Sequence, residues 1–175
     1  MSQTVTGRPE TSEYAPYYER YVSRVPEADL VAALEADRSA TLDLLRSVPE
    51  SRADDRYEPG KWSIREVVQH VLDAERVFGF RALWFARTPG ASLPGFEQDD
   101  FVKTAPAATP LSALASEFDH VRRGHVLFFS ALEPEAWTRS GVASGNPVSV
   151  RALAAILVGH NRHHAGILRE RYLGA

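Results

Sequence analysis

Cysteine is absent from the 175-residue sequence, which excludes disulfide bonds, cysteine-ligated metal sites and a cysteine nucleophile. A metal ion would have to be bound by histidine, aspartate or glutamate. Long apolar runs are also missing, because no segment approaches the roughly 18 consecutive apolar residues that a membrane-spanning helix needs. The net charge of −3 offers no basic field for nucleic acid or an anionic membrane. We therefore expect neither of these as a partner.

The N-terminal residues are small and polar and lack the apolar core of a signal peptide. This composition predicts a disordered tail over residues 1–12 and a cytoplasmic location. An aromatic run follows, and we expect it to lie against the protein: Tyr14, Tyr17, Tyr18 and Tyr21. With 44% hydrophobic residues, the remainder is predicted to form a single domain over residues 13–175.

Apolar residues recur with helical spacing in four segments, at about 27–48, 63–87, 111–132 and 149–172. The inward stripe of the first includes two polar residues, Asp37 and Thr41. Ser63 and Glu66 have the spacing of a helix-capping box at the start of the second. Four amphipathic helices of this length predict an all-α, antiparallel four-helix bundle.

Residues 88–110 contain four prolines and three acidic residues without periodicity. We interpret this segment as a long crossover loop that covers one end of the bundle. Phe96 and Asp99 in it are candidates to line the mouth of a pocket. No alternating strand pattern of useful length is present elsewhere.

Histidine spacing is the most informative chemical feature of the sequence. His160 and His164 are four residues apart on the fourth helix and lie on its apolar stripe, so their rings face the core. Buried imidazoles are unfavourable unless their nitrogens find partners, and a shared metal ion would provide one for both. Spacing alone also allows His163 in place of His164. It permits His70 on the second helix as a third ligand without selecting it.

Two catalytic sequence patterns are absent. The segment 160–164 reads HNRHH, and Asn161 stands where a zinc protease of the H-E-x-x-H type needs its glutamate. No G-x-S-x-G nucleophile elbow or phosphate-binding glycine loop is present. Around His70, Glu66 is a candidate to orient the ring, and we interpret Trp62 as a structural anchor.

Two segments together resemble the DinB/YfiT-like superfamily. Residues 60–70 (GKWSIREVVQH), with 73–76 (DAER), are similar to its second-helix signature, and residues 160–166 (HNRHHAG) are similar to its fourth-helix signature. Residues 93–100 resemble the loop that many members carry, and the likeness covers about residues 17–173. Ala165 and Ile167 depart from the pattern, since many members have arginine and glutamine there.

The resemblance implies a four-helix bundle of up-up-down-down topology, often a homodimer. It also implies a divalent transition metal, commonly zinc or nickel, on His70, His160 and His164. Relatives include thiol-dependent transferases and isomerases, proteins described as metal-dependent hydrolases, and members without established activity. We therefore expect a metal-dependent hydrolase or thiol transferase that acts on a small molecule, with a low-molecular-weight thiol as cofactor in the transferase case. The alternative is a non-catalytic metal- or ligand-binding module of a stress response.

Overall fold

The computed structural model describes residues 7–174 and is mostly helical. Six α-helices occur in this part of the chain: α1 (Glu19–Val22), α2 (Leu30–Ser47), α3 (Ile64–Arg87), α4 (Gln98–Thr104), α5 (Leu111–Ser130) and α6 (Val150–Ile167). A π-helical segment, Leu168–Leu173, extends α6. No helix within residues 7–174 has both the length and the apolar character needed to cross a membrane.

The predicted tail, residues 1–12, lies partly outside the residues that the structure describes, which begin at residue 7. A 3-10 turn at Thr11–Glu13 is tied to the start of α6, because Glu13 accepts a hydrogen bond from the Ser149 hydroxyl at 2.6 Å. Tyr14 and Tyr21 are buried, as expected for an aromatic run that lies on the domain. The boundary between tail and domain stays a prediction.

The four long helices form the predicted bundle, in which α2 and α3 each lie beside both α5 and α6. The contacts between helices set their directions. Arg38 on α2 pairs with Asp119 on α5. Glu50, just beyond the end of α2, accepts a hydrogen bond from the backbone nitrogen of Leu111 at the start of α5, at 2.7 Å. Helices α2 and α5 are therefore antiparallel.

Helix α3 runs parallel to α5. Its first turn contacts the segment just before α5, because Arg65 donates to the Thr109 carbonyl, and further along Glu75 pairs with Arg122. Helix α6 is antiparallel to α3, since the chain end after α6 lies at the start of α3. The bundle is confirmed, but the directions are up-down-down-up, which corrects the up-up-down-down order implied by the resemblance.

The parallel pair explains the long crossover. A chain that leaves one helix and begins a parallel neighbour has to return along the full length of the bundle. Residues 88–110 do this, and α4 within them packs against α3. The expectation that this segment covers one end of the bundle was wrong, because it runs along the side of α3.

A small three-stranded sheet lies near the end of α3. Strand β1 (Ser92–Leu93) pairs in parallel with β2 (Ser140–Ala143), which pairs antiparallel with β3 (Asn146–Ser149). Ser144 and Gly145 form the two-residue hairpin turn, both with positive φ, at 53° and 77°. These strands were not predicted because two to four residues are too few for an alternating pattern to be recognised.

A polar layer crosses the middle of the bundle and separates two apolar clusters. One cluster includes Leu34, Phe85 and Leu153, and the other includes Leu45 and Phe118. The layer between them contains buried polar side chains from all four long helices: Asp37, Thr41, His70, Glu75, Arg122, His160, Asn161 and His164.

Arg122 is the centre of this layer and is fully buried, with an exposed fraction of 0%. It donates from Nε and Nη2 to Glu75 on α3 at 2.8 and 2.6 Å, and from Nη1 to Asp37 on α2 at 2.7 Å. It also donates to the Leu34 carbonyl on α2 and the Leu157 carbonyl on α6. Burial alone lowers the pKa of Arg122, but the two carboxylates outweigh it and keep the pKa above its usual range. One charged guanidinium thus connects all four helices.

We predict that Arg122→Met lowers the free energy of unfolding by about 3–5 kcal/mol, because it leaves two buried carboxylates without their counter-ion. Urea denaturation followed by circular dichroism measures this change. Arg151→Met is the matched control. It removes a partly exposed pair with Glu13, for which we expect a loss of about 1 kcal/mol or less. Equal losses in the two variants would contradict the central role of Arg122.

Candidate metal centre

Three histidines from two helices meet in the polar layer. The Nε2 atoms of His70 on α3 and His160 on α6 are 3.1 Å apart. The ring centroids of His70 and His164 are 4.8 Å apart, and those of His160 and His164 are 4.5 Å apart. One ring nitrogen from each lies within 4.8 Å of the other two. The chain therefore brings together the three residues that the resemblance singled out.

His163 lies outside this cluster. It is half-buried, and its ring packs edge-on against Tyr21 at 5.5 Å and against His164 at 5.1 Å. Of the two possibilities left open by spacing, the geometry groups His164 with His70 and His160. His125 on α5 also lies outside the cluster and bonds Glu75 through Nδ1 at 3.1 Å.

Burial keeps the clustered imidazoles neutral. It lowers the pKa of His70 to about 4, although the charge of Asp99 acts in the opposite direction. It lowers the pKa of His164 to about 3, with further lowering from His70 and His163, and it lowers the pKa of His160 well below its ordinary value. A neutral imidazole has the free lone pair that a metal ligand requires.

One buried nitrogen has no hydrogen-bond partner. Among the described residues, His70 Nδ1 is the buried side-chain polar atom left without one. Glu66 does not serve it, because its carboxylate accepts from the Ser63 backbone nitrogen at 2.6 Å and pairs with Arg56. The capping box predicted at Ser63 is confirmed, and the proposed role of Glu66 in orienting His70 is wrong.

Aromatic rings enclose the histidines. The Trp62 ring lies 4.9 Å from the His70 ring, while Tyr21 and Phe78 lie 5.1 and 5.8 Å from the His160 ring. Tyr21 approaches closely because Gly159 has no side chain: a Cβ there would lie 2.0 Å from the Tyr21 carbonyl oxygen. The small residue before His160 thus allows α1 to cover the site.

Asn161, between two of the clustered histidines in sequence, fixes the rotation of α6. Its amide nitrogen donates to Asp37 Oδ2 at 2.7 Å and to Thr41 Oγ1 at 2.5 Å, both on α2. The same Asp37 oxygen accepts from Arg122. The helix that carries His160 and His164 is therefore held by the polar network at the level of the site.

Within residues 7–174, two sizeable cavities adjoin the cluster. The first, of about 250 Å³, is bounded by His70 and His160, by tyrosine and phenylalanine rings, and by crossover residues that include Phe96 and Asp99, as predicted. The second, of about 240 Å³, is bounded by His164 and Trp62. Two sets of residues around the histidine cluster were not predicted from the sequence: the rings of Tyr18, Tyr21 and Phe78, and the Asn161 network. The spacing of the tyrosines at positions 14, 17, 18 and 21 is helical and could have indicated the first set.

Comparison with known proteins relates this arrangement to a family. A model described as the DinB superfamily matches residues 33–168. A protein of Geobacillus kaustophilus (strain HTA426), named as a putative metal-dependent hydrolase, is 26% identical over 144 residues, which cover 77% of each chain.

Solved structures share the fold at low identity. YfiT from Bacillus subtilis, described as a probable metal-dependent hydrolase with an unusual four-helix bundle topology, aligns with a TM-score of 0.71 at 16% identity over 95% of this chain and 93% of its own. A mycothiol-dependent maleylpyruvate isomerase aligns at 0.68 and 11% identity, over 83% and 61% of the two chains. The DinB-like protein YjoA of B. subtilis aligns at 0.59 and 22% identity, over 83% and 92%.

The family match extends from α2 to the first residue beyond α6 and includes all three clustered histidines. On this evidence, the chain belongs to the DinB superfamily.

Proposed function

We propose that His70, His160 and His164 bind one divalent transition-metal ion, zinc or nickel, and that the loaded protein is an enzyme of the hydrolase or thiol-transferase type. The observation that carries the proposal is the convergence of three buried, neutral imidazoles on one point. The 3.1 Å between two of their nitrogens suits a shared ion, because bonds of about 2.0–2.1 Å place two ligand nitrogens about 3.0–3.5 Å apart.

The sparse hydrogen bonding between the clustered rings adds support. Without an ion, His70 and His160 share at most one hydrogen bond, and its direction depends on the tautomers. Burying three imidazoles with so few partners is unfavourable. A cation that binds them offsets this cost, so the donor set fits a metal ion better than it fits a purely structural cluster.

A bound divalent ion would supply positive charge that lowers the pKa of water to about 7, or that stabilises a thiolate. The protein's own contribution is positional. Three neutral ligands leave that charge uncompensated, Asn161 holds two of them through α6, and the rings of Trp62 and Tyr21 exclude bulk water. Since the chain has no cysteine, any thiol has to enter as a small molecule.

The named relatives support a small-molecule substrate. One is named as a putative metal-dependent hydrolase and another as a mycothiol-dependent maleylpyruvate isomerase. In both of these reaction types a nucleophile from solution, either water or a thiol, attacks an electrophilic carbon. A cluster that adjoins two cavities is compatible with either type.

We predict that His164→Ala reduces metal affinity by at least about tenfold, since it removes one of three ligands. The measurement is elemental analysis of protein purified without an affinity tag. His163→Ala is the matched control, because it removes a half-buried imidazole next in sequence and outside the cluster.

Melting curves test the same site independently. A chelator should lower the melting temperature of the unmodified protein and of His163→Ala by roughly 5–10 °C, and leave His164→Ala unchanged. Protein that contains no metal and does not respond to the chelator would show that the histidines are ordinary core residues.

Activity distinguishes an enzyme from a binding module. We predict that the metal-loaded protein either hydrolyses members of an ester and amide panel or consumes a low-molecular-weight thiol in the presence of an electrophile. His70→Ala should reduce that rate to background. Full activity in His70→Ala would show that the turnover does not depend on the histidine cluster, and no turnover by the loaded protein with either panel would favour the non-catalytic alternative.

We also propose a homodimer, as the resemblance implies. The aromatic run near the N-terminus offers little surface for an interface, because Tyr14 and Tyr21 are buried, Tyr18 is half-buried and Tyr17 is the exposed member. A larger exposed apolar set lies on the parallel neighbours α3 and α5: Phe80, Leu83, Trp84 and Leu127. The Phe80 and Trp84 rings contact each other, with centroids 5.3 Å apart.

If this set is the interface, Trp84→Glu should convert a dimer to a monomer, because it places a charge in a buried apolar contact. Sedimentation velocity at several concentrations measures this. Tyr17→Ser removes an exposed aromatic residue elsewhere and should leave the dimer intact. A monomer at all concentrations of the unmodified chain would refute the proposal.

A further inference from the structure

The cavity on the His164 side has the walls of a site for a flat apolar group. It is bounded by the linker before α3, the first turns of α3 and the end of α6, and its volume is about 240 Å³. Three aromatic residues, Tyr57, Trp62 and Tyr172, form most of its wall, together with Val67 and Ile167. It is somewhat smaller than the roughly 300–1,000 Å³ of drug-sized pockets, so a compact ligand suits it.

The wall is held in place before any ligand arrives. The Tyr57 and Tyr172 rings pack edge to face with centroids 5.0 Å apart, and the Tyr172 hydroxyl donates to the Trp62 carbonyl. The polar end of Tyr172 is thereby satisfied within the protein. Fixed aromatic walls reduce the entropy that is lost when a ligand binds.

The charged residue among those that line this cavity is a lysine. Lys61 lines it and has no ion-pair partner among residues 7–174. The neighbouring arginines are neutralised, since Arg56 pairs with Glu66 and Arg52 with Asp55. The cavity on the opposite side of the cluster is bounded instead by acidic residues, Glu97 and Asp99.

We propose that the His164-side cavity binds a small aromatic carboxylic acid, with its ring against Trp62 and Tyr172 and its carboxylate at Lys61. In this proposal the substrate or product of the metal centre carries an aromatic carboxylate group, and that part of the proposal rests on the proposed function. The binding itself uses aromatic surface and one cation, neither of which requires the ion. An aromatic amine would lack a counter-charge here, and an aliphatic acid such as acetate would leave the rings unused.

Isothermal titration calorimetry on the full chain tests the proposal. Because carboxylates also ligate divalent ions, the metal is first removed with a chelator and the titration is then repeated on loaded protein. Benzoate should bind the metal-free protein at least about tenfold more tightly than benzylamine, which has the same ring with opposite charge, or acetate, which has the same charge without the ring. Equal affinity for benzoate and benzylamine, or no binding of benzoate at millimolar concentration, would overturn the proposal.

The chain contains a matched pair of variants, because Lys61 and Lys103 are its only lysines. Lys103 lines a separate cleft between α4 and the start of α3. Lys61→Met should weaken benzoate binding about fivefold, as expected for an exposed ion pair, and Lys103→Met should not change it. Equal benzoate affinity in Lys61→Met and the unmodified protein would also overturn the proposal.

A second variant tests the location without changing charge. Ile167→Phe places a ring in the cavity and should weaken benzoate binding while leaving the metal content unchanged. Unchanged benzoate affinity in this variant would place the ligand elsewhere and refute the assignment. Failure of the metal site is distinguishable, because protein that binds benzoate but holds no metal would remove the proposed function and leave the cavity assignment intact.

Discussion

The Arg122 guanidinium is the interaction on which the arrangement of the bundle depends. Its donors reach α2, α3 and α6 from α5, and both carboxylates that it bonds are buried. An uncompensated charge at this depth is strongly unfavourable, so any shift of one helix that separates these groups is opposed by several kcal/mol. Apolar clusters on either side tolerate small displacements more easily, because dispersion contacts are individually weak and non-directional. The polar layer therefore specifies the register of the helices, and the apolar clusters supply most of the burial.

This layer is also where the histidines lie, and the two features are connected. Asp37 accepts from both Arg122 and Asn161, and Asn161 is adjacent to His160 in sequence. Glu75, on the other side of Arg122, is on the same helix as His70, about one and a half turns away. The two helices that carry the histidines are thus bonded to the same guanidinium. A site assembled from separate helices has to be held by residues around it, because the histidines themselves are joined by one hydrogen bond, that of His70 with His160.

The sequence predicted the helices and the residues of the candidate site, but not how the helices are directed. Periodicity identified the four long helices to within a few residues, and the stripe of the first already included Asp37 and Thr41, which proved buried. The direction of each helix depends on side-chain pairs between helices, such as Arg38 with Asp119, which leave no local pattern. Arg122 was missed for the same reason, since a buried arginine resembles a surface one until its two carboxylates are located. His70 was selected by family resemblance, because spacing within one helix does not indicate which residue of another helix faces it.

The absence of cysteine and the two cavities both bear on how reactants would reach the histidine cluster. If the loaded protein is the proposed enzyme, a thiol nucleophile would have to come from solution, as water does, together with the molecule to be attacked. One cavity adjoins His70 and His160 and has acidic residues at its edge, and the other adjoins His164 and has Lys61 at its edge. Opposite charge at the two openings favours different molecules on the two sides, since like charges repel a ligand from the wrong entrance. A cluster placed between two such cavities is therefore suited to a reaction of two components, whether the second is a thiol or water.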